Sequence, residues 1–338
     1  MTPNALPPPI QLWNLAAGHM VSSVIQVAAR LGIADLLAGG PKSVEALATS
    51  TETHAPTLHR VLRALASVGV FHETSPGTFA QTPISEFLRS DIPGSQRHIC
   101  IANSQPDNWK SFGELEYSVR TGKPSLEHLT GKSFFQLYSA DPYYGQAFHV
   151  AMTGLSEVHS AAVTAVRDFS GFKKICDVGG GHGHLLGTIL ERTPTTLGIL
   201  FDTREVIEAA RSAPAKEVLG SRCEFIAGDF FEAVPGGADA YLMKFITHDW
   251  DDARAKTILS NVRKVIPPEG RLIVVDAVIA PDNHPSMNKL LDIQMLVGLG
   301  GRERTEEEFR SLFAAAGFRL DKVVPTPSPV SIIEGIPQ

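Results

Sequence analysis

The run Tyr241-Leu242-Met243-Lys244-Phe245-Ile246-Thr247-His248-Asp249-Trp250 passes from apolar residues straight into a histidine flanked by acid and indole. Histidine titrates near enough to neutrality to take a proton from a hydroxyl. A carboxylate beside it can fix its tautomer and stabilise its cation. Two acids downstream could do this: Asp276, and Glu303 in Gly300-Gly301-Arg302-Glu303-Arg304-Thr305. A lone histidine is more often structural. His248, however, follows a predicted strand at its carboxyl end, the edge where open α/β sheets bind ligands. Asp276 is expected to end the fifth strand at that same edge. Asp249 is the candidate substrate contact beside the base.

A second constellation lies upstream, in Lys173 to Asp202, KKICDVGGGHGHLLGTILERTPTTLGILFD. Ile175, Cys176 and Val178 mark a buried parallel strand. Gly179, Gly180, Gly181 and Gly183 then allow positive φ and bring a ligand against bare backbone. Neither the sixth-place glycine of a dinucleotide loop nor a phosphate loop's closing lysine is present. Asp177 before the glycines and Asp202 after the second strand suit an ammonium group and a ribose diol. S-adenosylmethionine has both, and its carboxylate suits a helix N-terminus. Asp229 and Phe230, in Gly228-Asp229-Phe230-Phe231, suit an adenine amino group and ring. A capping Asp with core aromatics is an equal reading. His182 and His184 stand alone at this spacing, with no further ligands for a metal site.

These residues need a scaffold. From 171 onward strands and helices alternate, the pattern of a parallel sheet, with strands expected at 174–178, 197–201, 223–227, 239–243 and 271–276. FRLDKVVPT and PVSIIEGIP suit a terminal antiparallel pair. Before the sheet, 91–170 reads as helices rich in aromatics; Phe135, Phe148 and Met152 suit either core or a flat apolar pocket. Residues 41–90 have a winged-helix rhythm: Ser43 and Thr53 are the expected caps of two helices, and 70–80 forms a hairpin. Residues 12–37 read as one helix, apolar on more than one face, which needs a neighbour and would find one in a partner subunit.

With 338 residues, 43% of them hydrophobic and 20% charged, the chain can bury full cores in two domains. A net charge of -6 gives no global attraction to nucleic acid or to an anionic membrane. His59, Arg60 and Arg63 would meet DNA in a helix-turn-helix regulator, but no dense basic patch accompanies them. The three scattered cysteines, the lack of a signal-like leader and the lack of a long apolar run suit a reducing cytoplasm.

DVGGGHGHLL, FD at 201–202, GDFF, MKFITHDWDD and GGRERTEEEFRSLFAAAGF stand in an order and spacing that resembles the S-adenosylmethionine-dependent O-methyltransferases. The likeness is to the caffeic acid, hydroxyindole and bacterial polyketide-tailoring type, over nearly the whole chain. It implies a Rossmann-like class I methyltransferase sheet at 105–338, with 105–170 as a helical pocket and linker region. It implies an N-terminal α-helical winged-helix domain at 1–104 that builds a homodimer and does not grip DNA. Carried over by position, Gly179, Asp202, Asp229, Phe230 and Lys244 would contact the cofactor. His248 would be the base, with Asp276 and Glu303 flanking it, and Met295 would touch the substrate. Plant members usually have Glu where this chain has Asp276, so their phenylpropanoid acceptors are not implied. The implied reaction is methyl transfer to a hydroxyl of an aromatic or polyketide-like small molecule. Methylation at carbon or nitrogen, a non-methylating reaction, and a regulator that senses the cofactor are the alternatives.

Overall fold

A computed structural model describes residues 6–212 and 219–338. The chain divides into two units. The described residues up to Trp109 join Phe135–Gly154 in one, and Lys110–Phe134 joins Leu155–Gln338 in the other.

The first unit opens with three helices where one was expected over 12–37: α1 (Pro8–Ala16), α2 (Gly18–Leu31) and α3 (Ile33–Leu36). Gly32, at φ 65°, closes α2 by the left-handed turn that glycine takes at least cost. α1 buries nothing; Leu12, Trp13 and Leu15 are all exposed. Strand β1 (Lys42–Ser43) leads into α4 (Val44–Thr51), which Ser43 caps by accepting from the Ala46 N–H at 3.2 Å. Thr53 does not cap α5 (Ala55–Ser67); its own N–H is bound to the Ala48 carbonyl at the end of α4, and His54 takes the cap position without a side-chain bond. The expected hairpin is β2 (Phe71–Ser75) against β3 (Thr78–Gln81), with β1 on the far side of β3. His59 on α5 turns back onto Glu73 of the hairpin at 3.2 Å.

The second unit carries the sheet. Strands β4 (Lys174–Val178), β5 (Leu197–Asp202), β6 (Cys223–Ala227), β7 (Ala240–Lys244) and β8 (Arg271–Ile279) are parallel. β10 (Phe318–Pro325) and β11 (Val330–Pro337) complete the order β10-β11-β8-β7-β4-β5-β6, while the short β9 (Arg304–Thr305) pairs with the end of β8. Two apolar layers cover the faces. Tyr241, Met243, Leu272 and Val274 point to one, with the helices Asp252–Val265 and Glu306–Ala315. Leu242, Ile273 and Val275 point to the other, with the helix His184–Arg192. This two-sided burial explains the continuous apolar runs of these strands. Asp276 does not end β8. The strand continues to Ile279 because β11 and β9 extend its pairing, with Asp276 opposite Ser331 and Val278 opposite Arg304.

Candidate active site

At the carboxyl end of β4 the chain turns through Gly179, Gly181 and Gly183 at φ 69°, 59° and 78°. A Cβ on Gly179 would stand 2.4 Å from Ile246 Cδ1, and one on Gly180 2.5 Å from Leu200 Cδ1; at Gly181 no described residue lies within 4 Å. The loop is thus pressed onto Ile246 and Leu200 at two glycines, while at the third no described residue crowds it. Asp202, ending β5, accepts from the Gly181 N–H at 2.9 Å and the Thr203 N–H at 2.7 Å. Asp177 lies beneath the loop, buried, and accepts the Leu186 N–H; burial pushes its carboxyl up to about 7 against the pull of Lys244, with Asp202 adding to the rise. The residue expected to face an ammonium group is thus among the buried charged residues. Asp229 is exposed beyond β6 and uses one oxygen to accept the Phe231 N–H at 2.8 Å, the turn-forming role that was the alternative for it. Phe230 is half-buried, with its ring 4.9 Å from that of Phe231. Lys244, ending β7, donates to the Ser156 hydroxyl, and burial lowers its ammonium to about 8. Backbone bare at Gly181 and carboxylates at Asp202 and Asp229 fit an adenosine bearing a ribose diol and an amino group.

The second constellation begins one residue after β7. Phe245 sits at φ 57°, a strained conformation for an aromatic residue. Its N–H bonds the Val275 carbonyl at 3.0 Å, and its ring stacks on His248 at 5.1 Å. This bend leads into a short 3-10 turn, Thr247–Asp249, that buries His248. The imidazole Nδ1 donates to Glu303 Oε1 at 2.8 Å, and Nε2 lies 3.3 Å from Asp249 Oδ1. Asp276 does not bond the ring. Its Oδ2 accepts from the Thr247 hydroxyl, and its Oδ1 has no hydrogen-bond partner among the described residues. Burial opposes the imidazolium, but Asp249, the Glu303 bond and Asp276 outweigh it and push His248 up to about 10. Burial pushes Asp249 up to about 6 and Asp276 to about 7. The turn is thus a buried imidazole ringed by three acids, able to hold and release a proton.

The remaining candidates lie on other helices. Met295 is buried on the helix Met287–Gly298. Phe135, half-exposed on the helix Phe134–Ala140, belongs to the first unit, as do Phe148, whose ring meets Tyr138 at 4.7 Å, and half-buried Met152.

The O-methyltransferase domain family matches residues 112–319, and the O-methyltransferase dimerisation domain family matches residues 13–91. The chain belongs to the S-adenosylmethionine-dependent O-methyltransferases. It is 42% identical to the phenazine O-methyltransferase PhzM of Lysobacter antibioticus, over 96% of this chain and 95% of that protein. It is 32% identical to the 8-amino-8-demethylriboflavin N,N-dimethyltransferase of Streptomyces davaonensis, over 96% and 94%. Among solved structures, CalO1, a methyltransferase in calicheamicin biosynthesis in its SAH-bound form, aligns with TM-score 0.87 at 34% identity, covering 99% of this chain and 100% of that one.

Three residues that shape this O-methyltransferase's histidine turn escaped the sequence reading: Phe245, Thr247 and Arg304. A β-strand pattern carries no sign of one positive φ, and Arg304 stands in a charged run that resembles a solvated surface. The one available signal was a helix cap, Thr305 followed by Glu308, which places Arg304 in the chain's tight entry to a helix.

Proposed function

We propose that this O-methyltransferase acts on a hydroxyl of an aromatic or polyketide-like small molecule, with His248 as general base. When bound, S-adenosylmethionine supplies an electrophilic methyl group on a sulfonium centre. The loop at Gly179, with Asp202, Asp229, Phe230 and Lys244, would hold it. The observation that carries the reading is the pairing of both His248 nitrogens. Glu303 on Nδ1 sets the tautomer and leaves Nε2 as the proton acceptor.

Asp249 shares the Nε2 face, which makes it the substrate-side acid. It is also the strongest attraction holding a proton on the ring. A hydroxyl that takes Asp249's place at Nε2 removes that attraction and lowers the imidazole's pKa, so that the ring can accept the hydroxyl's proton. Asp276 and Glu303 then stabilise the cation so formed. Met295 and the group Phe135, Phe148 and Met152 are the proposed acceptor contacts. The division of labour falls at 104/105: residues 1–104 dimerise and 105–338 carry the reaction. The match of 13–91 to the dimerisation family and the exposed apolar face of α1 support a homodimer.

A panel of hydroxylated and aminated aromatics, run with isotopically labelled methyl donor and read by mass spectrometry of the products, tests the reaction. Label on oxygen is expected; label only on nitrogen or carbon would overturn the acceptor class. His248→Ala should lower turnover by about 100-fold or more while cofactor affinity stays nearly intact. Unchanged turnover would remove His248 as base.

A further inference from the structure

Arg304 is among the largest fully buried side chains of the protein, at 1% exposure. Its guanidinium donates through Nη1 to the Thr247 carbonyl at 2.8 Å and through Nη2 to the Trp250 carbonyl at 3.0 Å. Those two carbonyls bracket His248. Nε and Nη2 both reach Asp252 Oδ1, at 2.9 and 2.8 Å, at the start of the helix Asp252–Val265. The neighbouring residues serve the same turn. The Arg302 N–H donates to the His248 carbonyl at 2.8 Å, and Glu303 takes His248 Nδ1. A Cβ on Gly301 would stand 2.0 Å from the His248 oxygen, so the strap lies flush on the turn. Beyond it, Thr305 N-caps the helix Glu306–Ala315 in a reciprocal box with Glu308, and β9 anchors the strap to β8.

We propose that Arg304 is the positioning residue of the histidine turn: by gripping the carbonyls on both sides of His248, it holds the imidazole in register with Glu303. An arginine suits this task because its planar fork offers five donors in fixed directions. A lysine offers one charge on a flexible stem and cannot serve two carbonyls and a carboxylate in the same plane. Burial of a guanidinium is costly unless its donors are paired, and here the partners are carbonyls of the turn and the carboxylate of Asp252. The inference rests on His248 being the proton-handling group, but its test reads the imidazole directly and needs no acceptor.

The experiment is NMR titration of 13C-labelled histidine in the full chain, with His248→Asn used to assign the His248 signal. The charged groups facing the ring are Asp249, Asp276 and Glu303, all unchanged in the variants. In Arg304→Met the turn relaxes from Glu303, so the His248 pKa should fall by about 1 unit or more toward the ordinary value of about 6.5. Arg304→Lys should recover part of that shift. Affinity for S-adenosylhomocysteine should stay within about twofold. Because Arg304→Met strands two carbonyls and could fail to fold, Asp252→Asn provides a milder version. It loosens the guanidinium from its half-exposed partner and should shift the titration in the same direction by less. An unmoved His248 titration in folded Arg304→Met overturns the proposal. So does an unmoved titration in Asp252→Asn if Arg304→Met does not fold. Loss of homocysteine-product affinity with the titration unmoved would mark the guanidinium as scaffold only. Failure of the native protein to transfer methyl to oxygen, with the variants' titration shifted as expected, would instead count against the proposed reaction.

Discussion

His248 holds a proton that three carboxylates attract and burial resists, and the balance lies with the carboxylates. The sign of the pH effect follows. A base works in its neutral form, so the acid limb of the kcat/KM profile, which reports the free enzyme, tracks the imidazole's pKa. Asp249→Asn removes the largest attraction, so the limb should move to lower pH; a limb that stays or rises would show that Asp249 does not act on the ring. This residue chemistry was partly legible in the sequence. A histidine after an apolar strand, with acids downstream, is a pattern of types and order. Which acid touches which nitrogen was not legible. Asp276 and Glu303 look interchangeable as letters, and only the turn geometry gives Nδ1 to Glu303 and sends Asp276 to Thr247.

At the scale of the element, the glycine loop and the histidine turn lean on each other. Ile246, between Phe245 and Thr247, lies where a Cβ on Gly179 would strike it. Gly179→Ala combines a strained φ of about 1 kcal/mol with that collision. Calorimetry should show S-adenosylhomocysteine binding weakened by about tenfold or more, which is about 1.4 kcal/mol; unchanged affinity would mean the loop yields freely. Apolar runs and turn residues made β4 to β8 legible to within a residue or so at most ends. The exception is β8, whose last three residues are strand because of partners far along the chain. The break of the 12–37 helix is a different failure. Apolar content there is continuous; the left-handed Gly32 marks the break between α2 and α3, and Ala17, at φ -79° and ψ 0°, the break between α1 and α2.

At the scale of the whole molecule, the alternation of strand and helix made the parallel sheet legible, and the tail made the antiparallel pair. The strand order was not, because the pattern of β11 does not tell an interior strand from an edge. The surface of α1 bears on assembly. Leu12, Trp13 and Leu15 expose a row of large apolar side chains on a helix with no buried residue, more than a lone chain ordinarily leaves to water. Light scattering should report a dimer for the native chain and a monomer for the double variant Trp13→Asp, Leu15→Asp. A dimer that survives both changes would place the contact elsewhere.

The seat of β11 between β8 and β10 also has a consequence for synthesis. β4 to β8 can pair as the nascent chain emerges, but one side of β8 stays unpaired until residues 330–337 have been made. At the usual rate of elongation that interval is on the order of seconds. During it, the ribosome-bound protein presents a long apolar strand, the one that carries Asp276, with its backbone groups open to other chains. Slow translation or crowded overexpression should therefore exact its toll through this strand, and a chaperone that covers it would raise the yield of folded enzyme without touching the finished protein.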